Sequence, residues 1–170
     1  IIYSSGQKAF TVLSSNQIFD LHLTGDSQCL PLYYYEKEGN RIDNITDWGL
    51  QQFQKHYNDK TITKLHIFHY TYAVLHYPEY RSKYELNLKR EFPRLPFYDN
   101  FSQWVEWGSK LMELHINYET VAPYPLTRID TNNNLKPKTK LKADREKNSI
   151  NLDDITFLQD IPKIAWEYKL

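Results

Sequence analysis

The sequence predicts an α+β fold, with a central bundle of about four helices flanked by short antiparallel β segments at both ends. Three observations predict it. Apolar residues recur at helical spacing from Leu50 to His115. Short apolar runs separated by polar turn clusters occupy residues 9–35. Beyond Tyr118, prolines and alternating charged residues exclude helix and suggest strands. The 170 residues fit one domain, or a fragment of one, divided as β strands over 1–40, a helical block over 46–119 and a β-rich extension over 120–170.

At the N-terminal end, Ala9 to Leu13, Ile18 to Leu23 and Leu30 to Tyr35 read as strands, with turns at Ser14 to Gln17 and Thr24 to Ser27. They make a small antiparallel unit or the last strands of a larger sheet. Glu36 to Asn44 is a polar connector. Thr46 is placed to cap a first helix carrying Leu50, Phe53 and Tyr57, which ends at Asn58-Asp59-Lys60. Thr63 caps a second helix running to about His76. Its apolar residues cover most of its circumference, as expected of the buried centre of a bundle. Pro78 opens a third helix whose inner face is Tyr80, Tyr84 and Leu88, and Pro93 stops it. Phe92 to Phe97 must be extended, because each proline biases its predecessor away from helix. Asp99 or Asn100 caps the last long helix, where Gly108 allows close packing. Lys136 to Lys142 reads as an exposed strand, followed by short strands at Ile150 to Leu152 and Ile155 to Leu158.

Composition narrows the function. Hydrophobic residues make up 41% and aromatics 15% of the chain, enough for a core. The abundant tyrosine suits binding faces or a wet core equally. The 21 basic and 21 acidic residues balance, which argues against DNA binding on bulk charge but leaves room for a basic face. Cys29 is the single cysteine, so an intrachain disulfide and a cysteine zinc site are excluded and a reducing cytoplasm is expected. No apolar run approaches the roughly 18 residues needed to span a bilayer. The chain opens on Ile1 without methionine and stops inside Ile164 to Leu170, so we expect a piece of something longer.

Complete catalytic motifs are missing. Val121-Ala122-Pro123-Tyr124 lacks the polar residue and second proline of an adenine methyltransferase tetrapeptide. The five glycines never approach phosphate-loop spacing. Asp160 with Glu167-Tyr168-Lys169 only mimics a nuclease pattern. His66, His69 and His76, with His115, admit a zinc site or simply hydrogen-bonded bundle histidines. Cys29 has no local activating sequence. The functional signal lies in basic residues. Arg81, Lys83, Lys89, Arg90 and Arg94 cluster around the third helix, interleaved with Glu79, Glu85 and Glu91, so a salt-bridged surface competes with a DNA-binding one. Lys136, Lys138, Lys140 and Lys142 alternate, which in a strand puts all four on one face. That face suits phosphate tracking or an ordinary soluble edge strand. Arg128, Asn132, Asn133 and Asn134 are of the types that read bases.

Several stretches resemble one known family. They are Asp47-Trp48-Gly49-Leu50 with Phe53, Ile67-Phe68-His69-Tyr70-Thr71-Tyr72-Ala73-Val74-Leu75-His76, Pro78-Glu79-Tyr80-Arg81, and Phe92-Pro93-Arg94-Leu95-Pro96. Asp20-Leu21-His22, Gln28 to Tyr33, Leu114 to Glu119 and Ile161 to Tyr168 extend the likeness over most of the chain. The chain resembles the C-terminal target-recognition domain of Type ISP restriction-modification enzymes. That resemblance implies a long parent enzyme joining nuclease, ATP-driven translocase and N6-adenine methyltransferase, with S-adenosylmethionine, ATP and Mg as cofactors outside this segment. It implies a non-catalytic role here, with double-stranded DNA and neighbouring domains as partners and no membrane. The expected function is DNA target recognition that positions DNA for the methyltransferase and nuclease. The alternative is a docking domain between other parts of such an enzyme. The resemblance also implies that the family's first recognition strands and final helix lie outside this sequence.

Overall fold

The computed structural model describes residues 1–4, 9–20, 22–25, 27–131 and 136–167. Positions 132–134 and 168–169, and Leu21, all singled out above, lie outside the described residues. The chain divides into two units, Ile1–Val121 and Ala122–Leu170.

In the first unit β1 (Ile2–Ser4) lies between β2 (Thr11–Leu13) and β3 (Gln28–Cys29), antiparallel to both. A separate two-stranded ribbon pairs β4 (Tyr33–Tyr35) with β5 (Arg41–Asp43). Helices follow: α1 (Asp47–Tyr57), α2 (Lys64–His76), α3 (Pro78–Lys83), α4 (Glu85–Leu88) and α5 (Phe101–Ile116). The fold is the expected α+β arrangement, with helices at its centre.

Local chemistry explains the boundaries. The Thr46 hydroxyl accepts from the Gly49 N–H at 3.1 Å, and Asn58 closes α1 in the left-handed conformation. At α2, Thr63 accepts from the His66 N–H while His66 Nδ1 accepts from the Thr63 N–H, a reciprocal cap. Helix α2 buries Ile67, Tyr70, Tyr72, Ala73, Val74 and Leu75, and so fills the centre of the bundle. Helix α5 crosses it at Gly108, where an added Cβ would lie 1.8 Å from the His69 carbonyl oxygen. Only glycine permits that approach.

The tyrosines of the core satisfy backbone groups. Among the described residues the extended segment after α4 pairs with no strand. Tyr80 donates to Arg94 O at 3.0 Å, Tyr70 to Pro96 O at 2.6 Å and Tyr57 to Tyr98 O at 2.7 Å. The Tyr70 hydroxyl also accepts from the Tyr98 N–H at 2.8 Å. Three tyrosine rings thus supply polar partners to a partly exposed, proline-rich extended segment. Around them Phe53, Tyr57, Tyr70, Phe97 and Phe101 pack ring on ring at centroid separations of 4.8 to 6.3 Å.

Four expectations need correction. The described residues of Ile18 to Leu23 are not strand: the Asp20 carboxylate accepts from the His22 N–H and its carbonyl from the Leu23 N–H. The run expected over Leu30 to Tyr35 is a strand only at Tyr33–Tyr35: Pro31, which has no N–H, lies in the stretch that separates β3 from β4. The polar connector Glu36 to Asn44 contains β5. The third helix is interrupted at Tyr84, whose backbone (φ −109°, ψ 18°) leaves the helical region although hydrogen bonding continues on both sides of it.

The second unit is one antiparallel sheet in the order β6-β9-β8-β7, with β6 (Thr127–Asp130), β7 (Thr139–Asp144), β8 (Ser149–Asp153) and β9 (Thr156–Gln159). Asn148, in the left-handed conformation, ends the β7–β8 turn, and its side chain accepts from the Trp166 indole N–H at 3.2 Å. Trp166 sits on a one-turn 3-10 helix, Lys163–Trp166. Ser149, Thr156 and Ile161 are buried here.

Candidate nucleic-acid interface

The histidines serve the structure. His66 completes the α2 cap. His76 places Nδ1 2.8 Å from Tyr72 O and Nε2 3.1 Å from Val12 O, so the ring ties α2 to β2. Burial pushes its pKa down to about 4, helped by Arg81 and His115, against the pull of the two carbonyls. The Tyr72 hydroxyl lies 2.5 Å from His115 Nδ1. Among the described residues no group of three or more His, Cys, Asp or Glu is placed to hold a metal ion. Asp160 accepts from the Thr127 hydroxyl, and Val121 to Tyr124 is exposed irregular chain.

The basic residues around α3 and α4 divide. Arg81 is not a free surface cation: its Nε donates to Leu75 O at 2.7 Å, satisfying a carbonyl in the last turn of α2, and its guanidinium lies 5.7 Å from the Phe10 ring centre. Lys89 pairs with Glu85 at 2.8 Å and Arg94 with Glu91 at 2.9 Å. Lys83 lies 5.4 Å from the Tyr84 ring centre. Arg90 is exposed and makes no ion pair among the described residues. Two of these five, Lys89 and Arg94, are therefore paired with neighbouring glutamates.

The second unit differs. From Lys136 to Lys147 six basic residues stand against two acidic ones. Lys136, Lys138, Lys140 and Lys142 are all exposed, and none forms an ion pair among the described residues. Among the described residues the ion pair in this stretch is Lys147 with Asp144, at 4.0 Å. Strand β7 is an edge strand, open to a partner on one side. The expectation of four lysines on one face fails. Pro137 cannot donate to a ladder, so Lys136 and Lys138 precede the strand. Thr139 pairs with Asp153 but Lys142 pairs with Asn151, so one extra residue bulges between them and breaks the alternation. Arg128, considered above for base reading, is held by the Asp130 carboxylate through three contacts of 3.0 to 3.1 Å.

Charge is also unevenly shared. The first unit has 12 basic and 14 acidic residues, and the second has nine and seven. Overall neutrality conceals a second unit carrying +2, with an excess of four positive charges between Lys136 and Lys147. The sequence reading also passed over Tyr34, Tyr35 and Arg41 of the β4–β5 ribbon, all exposed. Three consecutive tyrosines followed by Gly39-Asn40 are a strand-and-turn signal that the single apolar residue of β5, Ile42, obscured.

No curated protein sequence matches the chain. The cryo-EM structure of a DrdV–DNA complex contains a matching segment at 45% identity and TM-score 0.89, covering 100% of this chain and 18% of that one. A nuclease-deletion mutant of the Type ISP restriction-modification enzyme LlaGI, in complex with a DNA substrate mimic, matches at 28% identity and TM-score 0.73, covering 99% of this chain and 15% of that one. The ATP-dependent Type ISP restriction-modification enzyme LlaBIII, bound to DNA, shares the fold at 24% identity and TM-score 0.75, over 99% of this chain and 12% of that one. The chain thus spans less than a fifth of the length of these relatives. A family model, the Type ISP C-terminal specificity domain, matches residues 1–170. The chain belongs to the Type ISP C-terminal specificity domain family.

Proposed function

We propose that this chain binds duplex DNA and recognises a target sequence within a restriction-modification enzyme, positioning the DNA for chemistry performed elsewhere in the polypeptide. The observation that carries this reading is the whole-chain likeness, at 45% identity, to a segment of a protein in a DNA complex. The unneutralised lysines of the β7 edge support it physically. Exposed ammonium groups without carboxylate partners are suited to phosphates, and each one neutralised releases a counterion. Lys136, Lys138, Lys140 and Lys142 would position the duplex rather than read it. Arg90, Lys83 and Arg94 would add weaker contacts. The paired Lys89 and the inward-turned Arg81 are poor candidates.

The parent enzyme, on this reading, combines nuclease, translocase and N6-adenine methyltransferase activities that use Mg, ATP and S-adenosylmethionine, and works in the cytoplasm. None of that chemistry is assigned to residues of this chain. Among the described residues no helix is long and apolar enough to cross a membrane.

A salt titration tests the binding. The logarithm of duplex affinity should fall linearly with the logarithm of salt, and Lys138→Glu/Lys140→Glu should reduce the slope by about 2. Failure of the wild-type protein to bind duplex at low salt refutes the reading.

A further inference from the structure

Strands β4 and β5 pair with no other strand among the described residues. Tyr33 faces Asp43, Tyr34 faces Ile42 and Tyr35 faces Arg41. Alternation therefore puts Tyr33, Tyr35, Arg41 and Asp43 on one face and Tyr34 and Ile42 on the other. Tyr34 is 48% and Tyr35 66% exposed. A lone two-stranded hairpin is marginal in water, so something must hold it. Its base is tied down: Asn44 donates from its backbone to Leu32 O and from its side chain to Pro31 O, both at 2.9 Å. The Lys64 ammonium bridges Asp43 at 3.4 Å and Asp47 at 2.7 Å, joining the ribbon to the starts of α1 and α2. Leu30 and Ile45, just outside the ribbon, pack against the core. The tip is closed by Glu36 N–H to Asn40 O and Gly39 N–H to Glu36 O, both 3.0 Å, with Gly39 at φ +86°. The ribbon is a fixed projection with an exposed tip.

Its chemistry is not that of a phosphate clamp. Asp43 is occupied by Lys64, and the remaining Lys37 and Arg41 balance Glu36 and Glu38. What the tip offers is a directional set of hydrogen-bonding groups. The Arg41 guanidinium lies 4.3 Å from the Tyr33 ring centre, a stacking contact that presets a planar fork of donors. Asn40 is exposed beside it. At about 3.3 Å per residue, β4 spans roughly 7 Å, and the turn from Glu36 to Asn40 lies beyond it. A B-DNA major groove, about 12 Å wide and 8.5 Å deep, admits a two-stranded ribbon.

We propose that the β4–β5 ribbon enters the major groove of the target duplex and that Arg41 and Asn40 read base edges there. Arg41 has the fork that matches guanine O6 and N7, and Asn40 the amide that matches adenine N6 and N7. This inference rests on the DNA-binding reading. It divides the labour: β7 supplies salt-dependent affinity, and the neutral ribbon supplies discrimination.

The test uses the full-length protein. A duplex sequence is enriched from a random pool with wild-type protein, and affinities for it and for a scrambled duplex are measured. Arg41→Ala should lower the ratio of the two at least tenfold while leaving scrambled-duplex affinity within about twofold. Arg41→Lys, which keeps the charge but loses the fork, should also lower the ratio. Thermal melts report folding, and if Arg41→Ala is destabilised, Arg41→Lys and Asn40→Ala decide the question. Variants that melt like wild type and keep its ratio overturn the inference, as expected if the ribbon docks protein instead. An equal loss on both duplexes makes Arg41 a phosphate contact and overturns it too. Absence of any wild-type duplex binding is a different failure, since it removes the DNA-binding reading itself.

Discussion

Gly108→Ala opposes two effects of different sign. Helix propensity favours alanine over glycine by about 1 kcal/mol in a helix interior. The geometry points the other way. The new Cβ would fall 1.8 Å from His69 O, 2.6 Å from the His69 carbonyl carbon and 3.2 Å from the Ala73 nitrogen. All three are backbone atoms of α2, so no side chain can swing aside. Reaching ordinary contact requires α5 to retreat from α2 by roughly 1.5 Å, and gaps of that size forfeit a large part of the dispersion energy across an interface. That interface includes Tyr70, Phe101 and Trp104, whose rings pack across it at centroid separations of 5.1 and 6.3 Å. Overpacking of this kind costs about 1 to 3 kcal/mol, and more when backbone must move. We expect a net loss of about 3 kcal/mol after the propensity gain, or a Tm lower by roughly 10 °C for a chain of this size. Urea and thermal melts followed by circular dichroism measure it. A variant as stable as wild type, or more stable, refutes the close approach of the two helices.

Two further outcomes follow from the buried polar groups. Tyr70→Phe strands the Pro96 carbonyl and the Tyr98 N–H, so it should destabilise the chain by about 1 to 3 kcal/mol in urea melts, and a neutral result would mean the extended segment finds other partners. Burial holds His76 far below the ordinary histidine pKa, at about 4, and lowers His69 and His115 in the same direction. The unfolded chain therefore binds more protons than the folded one as pH falls from about 6.5 towards 4. The stability present at neutral pH is lost across that window, by up to about 3 kcal/mol for His76 alone. His76→Gln should flatten the pH dependence between pH 7 and 4.5 relative to wild type. Parallel profiles for the two proteins would contradict the assignment.

The helices were legible because their signals are local. Thr46 and Thr63 precede apolar periodicity, and Asn58 and Pro78 interrupt it. The β segments depend on pairing that sequence does not display. Ile2 to Ser4 is central in its sheet only because residues far along the chain, Gln28 and Cys29, flank it. Arg41 to Asp43 has one apolar residue and becomes a strand through its register with three tyrosines. The lysine run shows the same limit. Its charge pattern was plain, but the bulge between Thr139 and Lys142 that turns the lysines apart is a property of the partner strand's register. The contact of Arg81 is not visible in the sequence, because the Leu75 carbonyl it satisfies becomes available only when Pro78 ends α2. The tyrosine excess found its explanation in three hydroxyls that serve one proline-rich segment.

The central claim, that this chain carries target recognition, is tested most directly by exchange. The full-length protein is used to select duplex sequences from a random pool, and the selection is repeated after residues 1–170 are replaced by the corresponding segment of one of the structural relatives. The enriched sequence should change to the one the donor protein selects, with binding retained. An unchanged enriched sequence, in a chimaera that folds and binds DNA as tightly as before, would contradict it.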